Sequence, residues 1–285
     1  MSSKLMELAR VDGAELEFAV AGAGEPVLLI HGALIAEAYA PLSAEPALNS
    51  RYRLVRIHRR GYAGSSPVKA PFSLAEQAED CRALLRHLGI ERAHIVGHSS
   101  GAVIALRLAL DAPEVVHSLV LLEPTLLDVP SGALLIEALG PVLEQYSAGD
   151  KEGAADSFAR FVIGSDYRVW LDRLIPGAAQ QVAGDADTFF GVELPSMQEW
   201  LFTREDARRI SQPVLVVVGA ESASTWPGWD EALERLREWL PQTEPFMLAG
   251  SNHALQERDP RGVAEAMAPF LARHPIPVPL ARGGR

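Results

Sequence analysis

Short apolar runs alternate with longer amphipathic segments along most of the chain. Residues 27–30 and 214–218 are continuously apolar, as expected for central strands of a parallel sheet that is covered on both faces. With the weaker runs included, the pattern predicts eight strands, over residues 4–11, 15–21, 27–31, 54–58, 93–96, 118–122, 214–219 and 244–248. The predicted fold class is therefore α/β, with an eight-stranded, mostly parallel sheet and flanking helices.

The first two predicted strands differ from the others because they alternate apolar and polar positions. Asp12-Gly13 joins them, and this residue pair is typical of a tight hairpin, so we expect an antiparallel edge. Ser73 is followed three residues later by Glu76, the spacing of a capping box at a helix start. The pattern predicts helices over residues 73–88, 100–110, 229–240 and 260–272.

The alternation of strands and helices stops between residues 125 and 208. This segment has amphipathic pieces over residues 134–146, 154–162 and 167–174, and it contains nine of the 19 aromatic residues. Such a concentration of aromatic side chains suits a helical layer that forms the wall of a pocket. We predict a helical cap, or lid, over residues 125–208, inserted into a core formed by residues 1–124 and 209–285.

Composition narrows the choice of partners and compartment. The net charge of −11 disfavours nucleic acid and anionic membrane surfaces, and no run approaches the ~18 apolar residues of a spanning helix. The single cysteine, Cys81, excludes an internal disulfide and fits an inert, partly buried thiol. We expect a soluble, cytoplasmic protein with no nucleic-acid or membrane partner. The proline-containing tail over residues 275–285 is expected to be extended or disordered.

One pentapeptide, Gly97-His98-Ser99-Ser100-Gly101, lies where a predicted strand meets a predicted helix. Its two glycines permit a tight turn that lifts the Ser99 hydroxyl clear of the sheet, as in a nucleophile elbow. A serine hydroxyl needs a base within hydrogen-bonding distance to act as a nucleophile. His253 follows the last strand and precedes the last helix, so we expect it at the same sheet edge as Ser99.

The chain resembles the α/β-hydrolase superfamily over essentially its whole length. Besides the pentapeptide, the resembling segments are His31-Gly32-Ala33-Leu34, Arg60-Gly61-Tyr62-Ala63-Gly64-Ser65 and Gly250-Ser251-Asn252-His253. The resemblance implies a Ser-acid-His triad and an oxyanion hole formed by the backbone N–H groups of Ala33 and Ser100. It also implies that His31 and His98 support loops. Two fixed donors aimed at a developing oxyanion can lower the barrier by several kcal/mol.

The acid of the triad is where the sequence departs from the commonest family pattern. Many members have Gly-x-x-Asp after the strand at 214–218, but this chain has Gly219-Ala220-Glu221-Ser222, and serine cannot serve as the acid. Glu123, at the end of strand 118–122, is the preferred candidate because a buried carboxylate is costly unless it is paired. Its segment, Leu122-Glu123-Pro124-Thr125, is similar to the zearalenone-lactonase branch. Glu221 and Asp230 are the alternatives.

The expected substrate pocket combines side chains of the core and of the cap. Its predicted members are Leu34, His98, Trp170, Phe189, Phe190 and Trp200. No histidine or acidic spacing resembles a metal site, and no glycine motif for a nucleotide is present, so we expect neither metal nor cofactor. Serine rather than aspartate at position 99 argues against a haloalkane dehalogenase or an epoxide hydrolase.

These residues predict a serine hydrolase that cleaves a small, apolar carboxylic ester or lactone through an acyl-enzyme. C–C bond hydrolysis and perhydrolysis use the same triad on this scaffold and are alternatives. A ligand-binding, receptor-like protein with little turnover is another, because a fold does not dictate function.

Overall fold

An eight-stranded sheet flanked by helices forms the framework of the protein. The computed structural model describes residues 6–277. The strands are β1 Glu7–Val11, β2 Ala14–Ala21, β3 Glu25–Ile30, β4 Tyr52–Ile57, β5 Ala93–His98, β6 Val116–Leu122, β7 Val214–Gly219 and β8 Thr243–Leu248. The helices are α1 Ala40–Ser43, α2 Pro46–Asn49, α3 Leu74–His87, α4 Ser100–Asp111, α5 Gly132–Ala138, α6 Gly140–Ser147, α7 Lys151–Ile163, α8 Tyr167–Leu174, α9 Ala178–Gly184, α10 Ala186–Thr188, α11 Leu194–Gln198, α12 Arg204–Arg209, α13 Gly228–Trp239, α14 Leu255–Arg258 and α15 Pro260–Arg273.

The strand order is β1-β2-β4-β3-β5-β6-β7-β8, and only β2 runs antiparallel to its neighbours. The α/β class, the eight strands and the antiparallel edge are thus confirmed. Val11 pairs with Ala14 across the Asp12-Gly13 turn, where both central residues have positive φ, as a tight hairpin requires. Residues 4–5 of the first predicted strand and residues 278–285 of the predicted tail lie outside the described residues.

The central strands are buried on both faces. Leu28 and Ile30 pack with α3, α4 and α13 on one side, whereas Val27 and Leu29 pack with α1, α2 and α15 on the other. Successive strand residues point to opposite faces, so a continuously apolar strand supplies both cores. Two cores hold the strand ends rigidly, and the loops that follow β3, β5, β6 and β8 therefore have fixed positions at the carboxyl edge.

Between β6 and β7 the chain forms helices, α5 to α12, with one π-helical turn at Phe189–Glu193. The amphipathic piece noted over residues 134–146 forms two helices, α5 and α6, which are divided at Leu139. Pro141 lies in the first turn of α6, where its missing N–H is tolerated; within a continuous helix it would clash with the preceding turn. Helices α9 to α12 were not predicted.

The segment between β6 and β7 packs over the carboxyl edge of the sheet. A third apolar cluster joins side chains of α6 to α11 to Leu34 and Ile35, after β3, and to Ala254, after β8. The helices therefore cover the loops that carry the candidate site residues. No helix within residues 6–277 has the length and apolar character needed to cross a membrane.

Candidate active site

Ser99 occupies a sharp turn between β5 and α4. Its backbone has φ 55° and ψ −120°, a conformation that costs a non-glycine residue about 1–3 kcal/mol. A Cβ on Gly97 would lie 2.3 Å from the Gly101 carbonyl oxygen, and one on Gly101 would lie 2.3 Å from the Ile30 carbonyl oxygen. Only glycine fits at both positions, so the pentapeptide forms the tight strand-to-helix turn that its sequence predicted.

A continuous hydrogen-bonded path links Ser99, His253 and Glu123. The Ser99 Oγ lies 3.1 Å from His253 Nε2, and His253 Nδ1 lies 2.5 Å from Glu123 Oε2. These side chains come from the ends of β5, β8 and β6, so the parallel sheet brings together residues that lie up to 154 positions apart. The path has the geometry of a nucleophile, a base and an orienting acid.

Glu123 is fully buried and is held by three hydrogen bonds. Its Oε1 accepts one from the Gly219 N–H over 2.6 Å and one from the Ser222 hydroxyl over 2.5 Å, while its Oε2 lies against His253. Its backbone has φ 46°, so Glu123, like Ser99, has a positive φ that is unusual for a residue other than glycine. Three donors satisfy the buried carboxylate, which compensates for the loss of its hydration.

The two alternative acids lie elsewhere. The Glu221 side chain is exposed and makes no hydrogen bond to His253. Asp230 lies in the first turn of α13. Burial raises the pKa of its carboxyl, and the nearby charge of Glu123 raises it further. Neither of them contacts the imidazole, so Glu123 is the carboxylate that hydrogen-bonds to His253.

The imidazole of His253 is fixed between two rings. The indole of Trp229 stacks on it at 4.1 Å between centroids and 19° between planes, and the ring of His98 lies 4.7 Å away on a tilt of 39°. His98 donates a hydrogen bond from Nε2 to the His253 carbonyl oxygen over 2.9 Å. Burial holds the pKa of His98 well below its usual range, so this residue is neutral and supports the loop.

Thr125 adds a hydroxyl that the sequence did not single out. Its Oγ1 lies 3.1 Å from Ser99 Oγ and accepts a hydrogen bond from Trp229 Nε1 over 3.1 Å. When Ser99 donates to His253, Thr125 is left to donate to the Ser99 oxygen. Thr125 comes from the stretch after β6 and Trp229 from α13, and the sequence pattern assigned a role to neither of them.

The two residues whose N–H groups are expected to form an oxyanion hole, Ala33 and Ser100, line the same cavity as Ser99. Ala33 lines both cavities that meet at Ser99, and it precedes Leu34, whose φ is 63°. Ser100 is the first residue of α4, so its N–H falls outside the intrahelical hydrogen-bond pattern. The positive end of the helix dipole adds to the favourable potential for an anion there.

Two cavities meet at Ser99. We name the first the α14 lobe and the second the α13 lobe. Ala33, Ser99, Phe158, Val162 and His253 line both. The α14 lobe is further lined by Gly32, Leu34, Ile35, Ala38, His98, Ala159, Ile163 and Glu257. The α13 lobe is further lined by Ser100, Thr125, Leu127, Leu135, Leu139, Phe189, Leu194, Met197 and Trp229.

The structure distributes the predicted pocket residues unevenly. Leu34, His98 and Phe189 line the lobes, whereas Trp170, Phe190 and Trp200 line neither. Trp170 packs beside Arg258, Phe190 packs between Tyr146 and Phe158, and Trp200 packs on Phe202. These three aromatic rings pack on neighbouring side chains and form no part of either cavity wall.

Arg59, for which no role was predicted, is buried beside the site. Its guanidinium donates to the Gly32 carbonyl oxygen over 2.8 Å and to the Glu193 carboxylate of the π-helical turn over 3.0 Å. The Tyr62 hydroxyl donates to the same carboxylate. This network connects the π-helical turn of the segment between β6 and β7 to the loop before Ala33.

Within residues 6–277, no group of three or more histidine, cysteine or acidic side chains is arranged to hold a metal ion.

Comparison with known proteins identifies the family. The sequence profile of the alpha/beta hydrolase fold matches residues 25–169, about half of the chain. A fluoroacetate dehalogenase from Burkholderia sp is 41% identical over 109 residues, which are 36% of this chain and 36% of that enzyme. The first curated relatives are matched over only about a third of their own length.

Solved structures extend the likeness to nearly the whole chain. A thermophilic esterase from Thermogutta terrifontis has a TM-score of 0.78 and 21% identity, over 95% of this chain and 100% of that one. The enol-lactonase from Burkholderia xenovorans LB400 has a TM-score of 0.74 and 19% identity, over 93% and 100%. At these identities the likeness concerns the fold. Together with the profile match, it shows that the chain belongs to the alpha/beta hydrolase fold family.

Proposed function

We propose that the protein is a cofactor-independent serine hydrolase that cleaves a carboxylic ester or a lactone through an acyl-enzyme. The observation that carries the proposal is the unbroken hydrogen-bonded path from Ser99 through His253 to Glu123, which begins where two largely apolar cavities meet. A nucleophile, a base and an orienting acid at the base of a pocket are the parts that acyl transfer requires.

In the first half-reaction Ser99 Oγ attacks the ester carbonyl carbon while His253 Nε2 takes the hydroxyl proton. Glu123 accepts a hydrogen bond from His253 Nδ1, fixes the tautomer of the ring and stabilises the imidazolium. The negative charge that develops on the carbonyl oxygen is stabilised by the N–H groups of Ala33 and Ser100. The imidazolium then gives its proton to the leaving alcohol, and the acyl group stays on Ser99.

In the second half-reaction water replaces the alcohol. His253 takes a proton from the water, whose oxygen attacks the acyl carbon, and then returns a proton to Ser99 as the carboxylic acid leaves. The surroundings of Glu123 support its role in both halves, since its three hydrogen-bond donors keep the carboxylate in place.

The proposed function also assigns different roles to two parts of the chain, a core and a cap. We assign residues 1–124 and 209–285 to a core that carries the triad, and residues 125–208 to a cap that supplies about half of the residues lining the two lobes. Phe158, Val162 and Phe189 of the cap line the lobes next to Ser99. An apolar wall suits an apolar ester or lactone of small size.

Other names among the relatives fit this site less well. The fluoroacetate dehalogenase is named for a different reaction, and the nucleophile position here carries serine, which favours acyl transfer over displacement at an alkyl carbon. The esterase and the enol-lactonase are named for the bond class that we propose. Their low identity leaves the choice between ester and lactone to experiment.

Turnover of p-nitrophenyl esters with graded acyl chains, together with a panel of lactones, tests the proposal. We expect the parent to hydrolyse at least one of them, and Ser99→Ala to lower kcat by several orders of magnitude. Ser224→Ala, on an exposed loop after β7, is the matched control and should match the parent. Retention of more than about a tenth of the activity in Ser99→Ala would remove Ser99 as the nucleophile, and an absence of turnover would favour a ligand-binding protein.

A further inference from the structure

A buried carboxyl group that the proposed reaction does not use lies in the wall of the α14 lobe. Glu257, in α14, is 2% exposed and lines the cavity beside Ala38 and Ile163. Its Oε1 accepts a hydrogen bond from the Gln256 amide over 3.1 Å, but its Oε2 is buried without a partner. A buried polar atom without a hydrogen bond destabilises the fold, so any group that satisfies it is stabilising.

The state of this carboxyl follows from its surroundings. Among residues 6–277 no basic side chain forms an ion pair with Glu257, and burial raises the pKa of its carboxyl to about 8. At neutral pH the group is therefore mostly uncharged. Because Oε1 already accepts a hydrogen bond, the proton belongs on Oε2, which makes this oxygen a donor without an acceptor among residues 6–277, on a side chain that lines the lobe.

The two lobes therefore differ in chemistry. Leu127, Leu135, Leu139, Leu194 and Met197 give the α13 lobe a wall of aliphatic side chains. The α14 lobe has mostly apolar sides, and Glu257 is the one polar side chain in its wall besides Ser99, His98 and His253. An apolar cavity with a single polar group orients a ligand that carries a complementary atom.

We propose that Glu257 is a specificity-determining residue that donates a hydrogen bond to an oxygen acceptor, an ether or a hydroxyl, on the arm of the substrate that fills the α14 lobe. This inference rests on the proposed ester or lactone hydrolysis and names the substrate class: an otherwise apolar ester with one oxygen-bearing arm. A site built around a buried donor discriminates against the analogue that lacks the acceptor, because the donor is then left unpaired.

Paired substrates measure this preference directly. We would compare kcat/KM for p-nitrophenyl alkanoates and methoxyalkanoates of equal chain length, and for acetates of alkanols and methoxyalkanols of equal length. The two series test the acyl arm and the alcohol arm. In one of them the parent should favour the methoxy member by roughly three- to tenfold, the net worth of one hydrogen bond.

Variants assign the preference to the carboxyl. Glu257→Met keeps the length of the side chain without a donor and should abolish the preference, whereas Glu257→Gln keeps an N–H donor and should retain part of it. Glu91→Met is the matched control. Glu91 is exposed and lies before β5, at the end of the sheet opposite to Ser99. This variant should show the same ratio of kcat/KM between the two members of a pair as the parent. A purely structural role for Glu257 would change both members of a pair equally.

Three results would overturn the inference. One is equal kcat/KM for both members of every pair in the parent, a result that needs no variant to fold. The second is a preference that persists in Glu257→Met. The third is a stronger preference for an ammonium-terminated ester that Glu257→Gln removes, which would mean a charged carboxylate. If the parent hydrolyses no ester or lactone at all, the proposed function itself fails, and the inference fails with it.

Discussion

The Ser222 hydroxyl donates a hydrogen bond to the Glu123 carboxylate over 2.5 Å. Ser222 stands at the position after β7 where many α/β-hydrolases carry the acid, and Glu123 stands at the end of β6. Ser222, at the usual position of the acid, therefore holds in place the carboxylate of Glu123, the acid that we propose. The N–H of Gly219, the last residue of β7, adds a second donor over 2.6 Å, so the two strand ends form one site around the carboxylate.

The first prediction separates the two candidate glutamates. Glu123→Gln keeps the shape of the side chain but loses the charge that stabilises the imidazolium, so kcat should fall by up to about 10⁴-fold. Glu221→Gln is the control; that side chain is exposed and kcat should stay within a fewfold of the parent. Steady-state kinetics on one ester suffice. The reverse result would return the acid to the loop after β7.

The second prediction concerns the cooperation of Ser99 and His253. Because the proton of the Ser99 hydroxyl moves to His253 in the same step, either alanine variant should lose about as much activity as the double variant. The measurement is kcat for the two single variants and for the double variant on one substrate. Losses that multiply in the double variant would mean that the two residues act in separate steps.

The third prediction distinguishes two cap aromatics. Phe189 lines the α13 lobe, so Phe189→Ala should enlarge it and raise kcat/KM for bulky esters relative to acetate. Trp200 packs on Phe202 outside both lobes, and Trp200→Ala should leave that ratio unchanged. Kinetics over a graded ester series provide the comparison. Equal shifts in the two variants would show that packing of the cap, rather than the cavity wall, controls selectivity.

The fourth prediction is a dependence of stability on pH. The pKa of Glu257 is raised to about 8 from an ordinary value of 4.5, so between these values the folded protein holds a proton that the unfolded chain has released. The contribution of this group is therefore fully present below about pH 4.5 and is lost as the pH rises toward 8. Glu257→Gln removes this loss.

The free energy of unfolding of Glu257→Gln minus that of the parent should therefore increase between pH 5 and 8, by on the order of 1 kcal/mol per pH unit. Taking this difference removes the contributions of other titrating groups to the pH dependence. One such group is Asp185, because burial raises the pKa of its carboxyl to about 6. Glu91→Gln, at an exposed position, should run parallel to the parent. Parallel curves for Glu257→Gln would mean that its carboxyl is charged in the folded state.

Local pattern predicted the framework because the framework is local in origin. The apolar run at β7 and the glycines around Ser99 determine their own conformations, and His253 follows from its place after the last strand. Glu123 could be proposed because a carboxylate at the end of an apolar strand needs a partner. The order of the strands and the division of the helix at Leu139 became clear only in the structure.

The walls of the site could not be predicted in the same way. Thr125, Trp229 and Glu257 reach the cavity through the packing of separate helices and loops, which no short-range periodicity encodes. Trp200, expected in the pocket because it is aromatic, packs on Phe202 instead. An apolar side chain in a helical layer buries its surface equally well against the cavity or against a neighbouring helix, so composition alone cannot distinguish the two.

The most direct test of the central claim is labelling with a fluorophosphonate, which forms a stable adduct with an activated serine. The account predicts one adduct per chain, mapped to Ser99 by peptide mass spectrometry, with hydrolytic activity lost in proportion to labelling. The Ser99→Ala variant should remain unlabelled. Full labelling of Ser99 with undiminished ester hydrolysis, or loss of activity through an adduct on another residue, would contradict it.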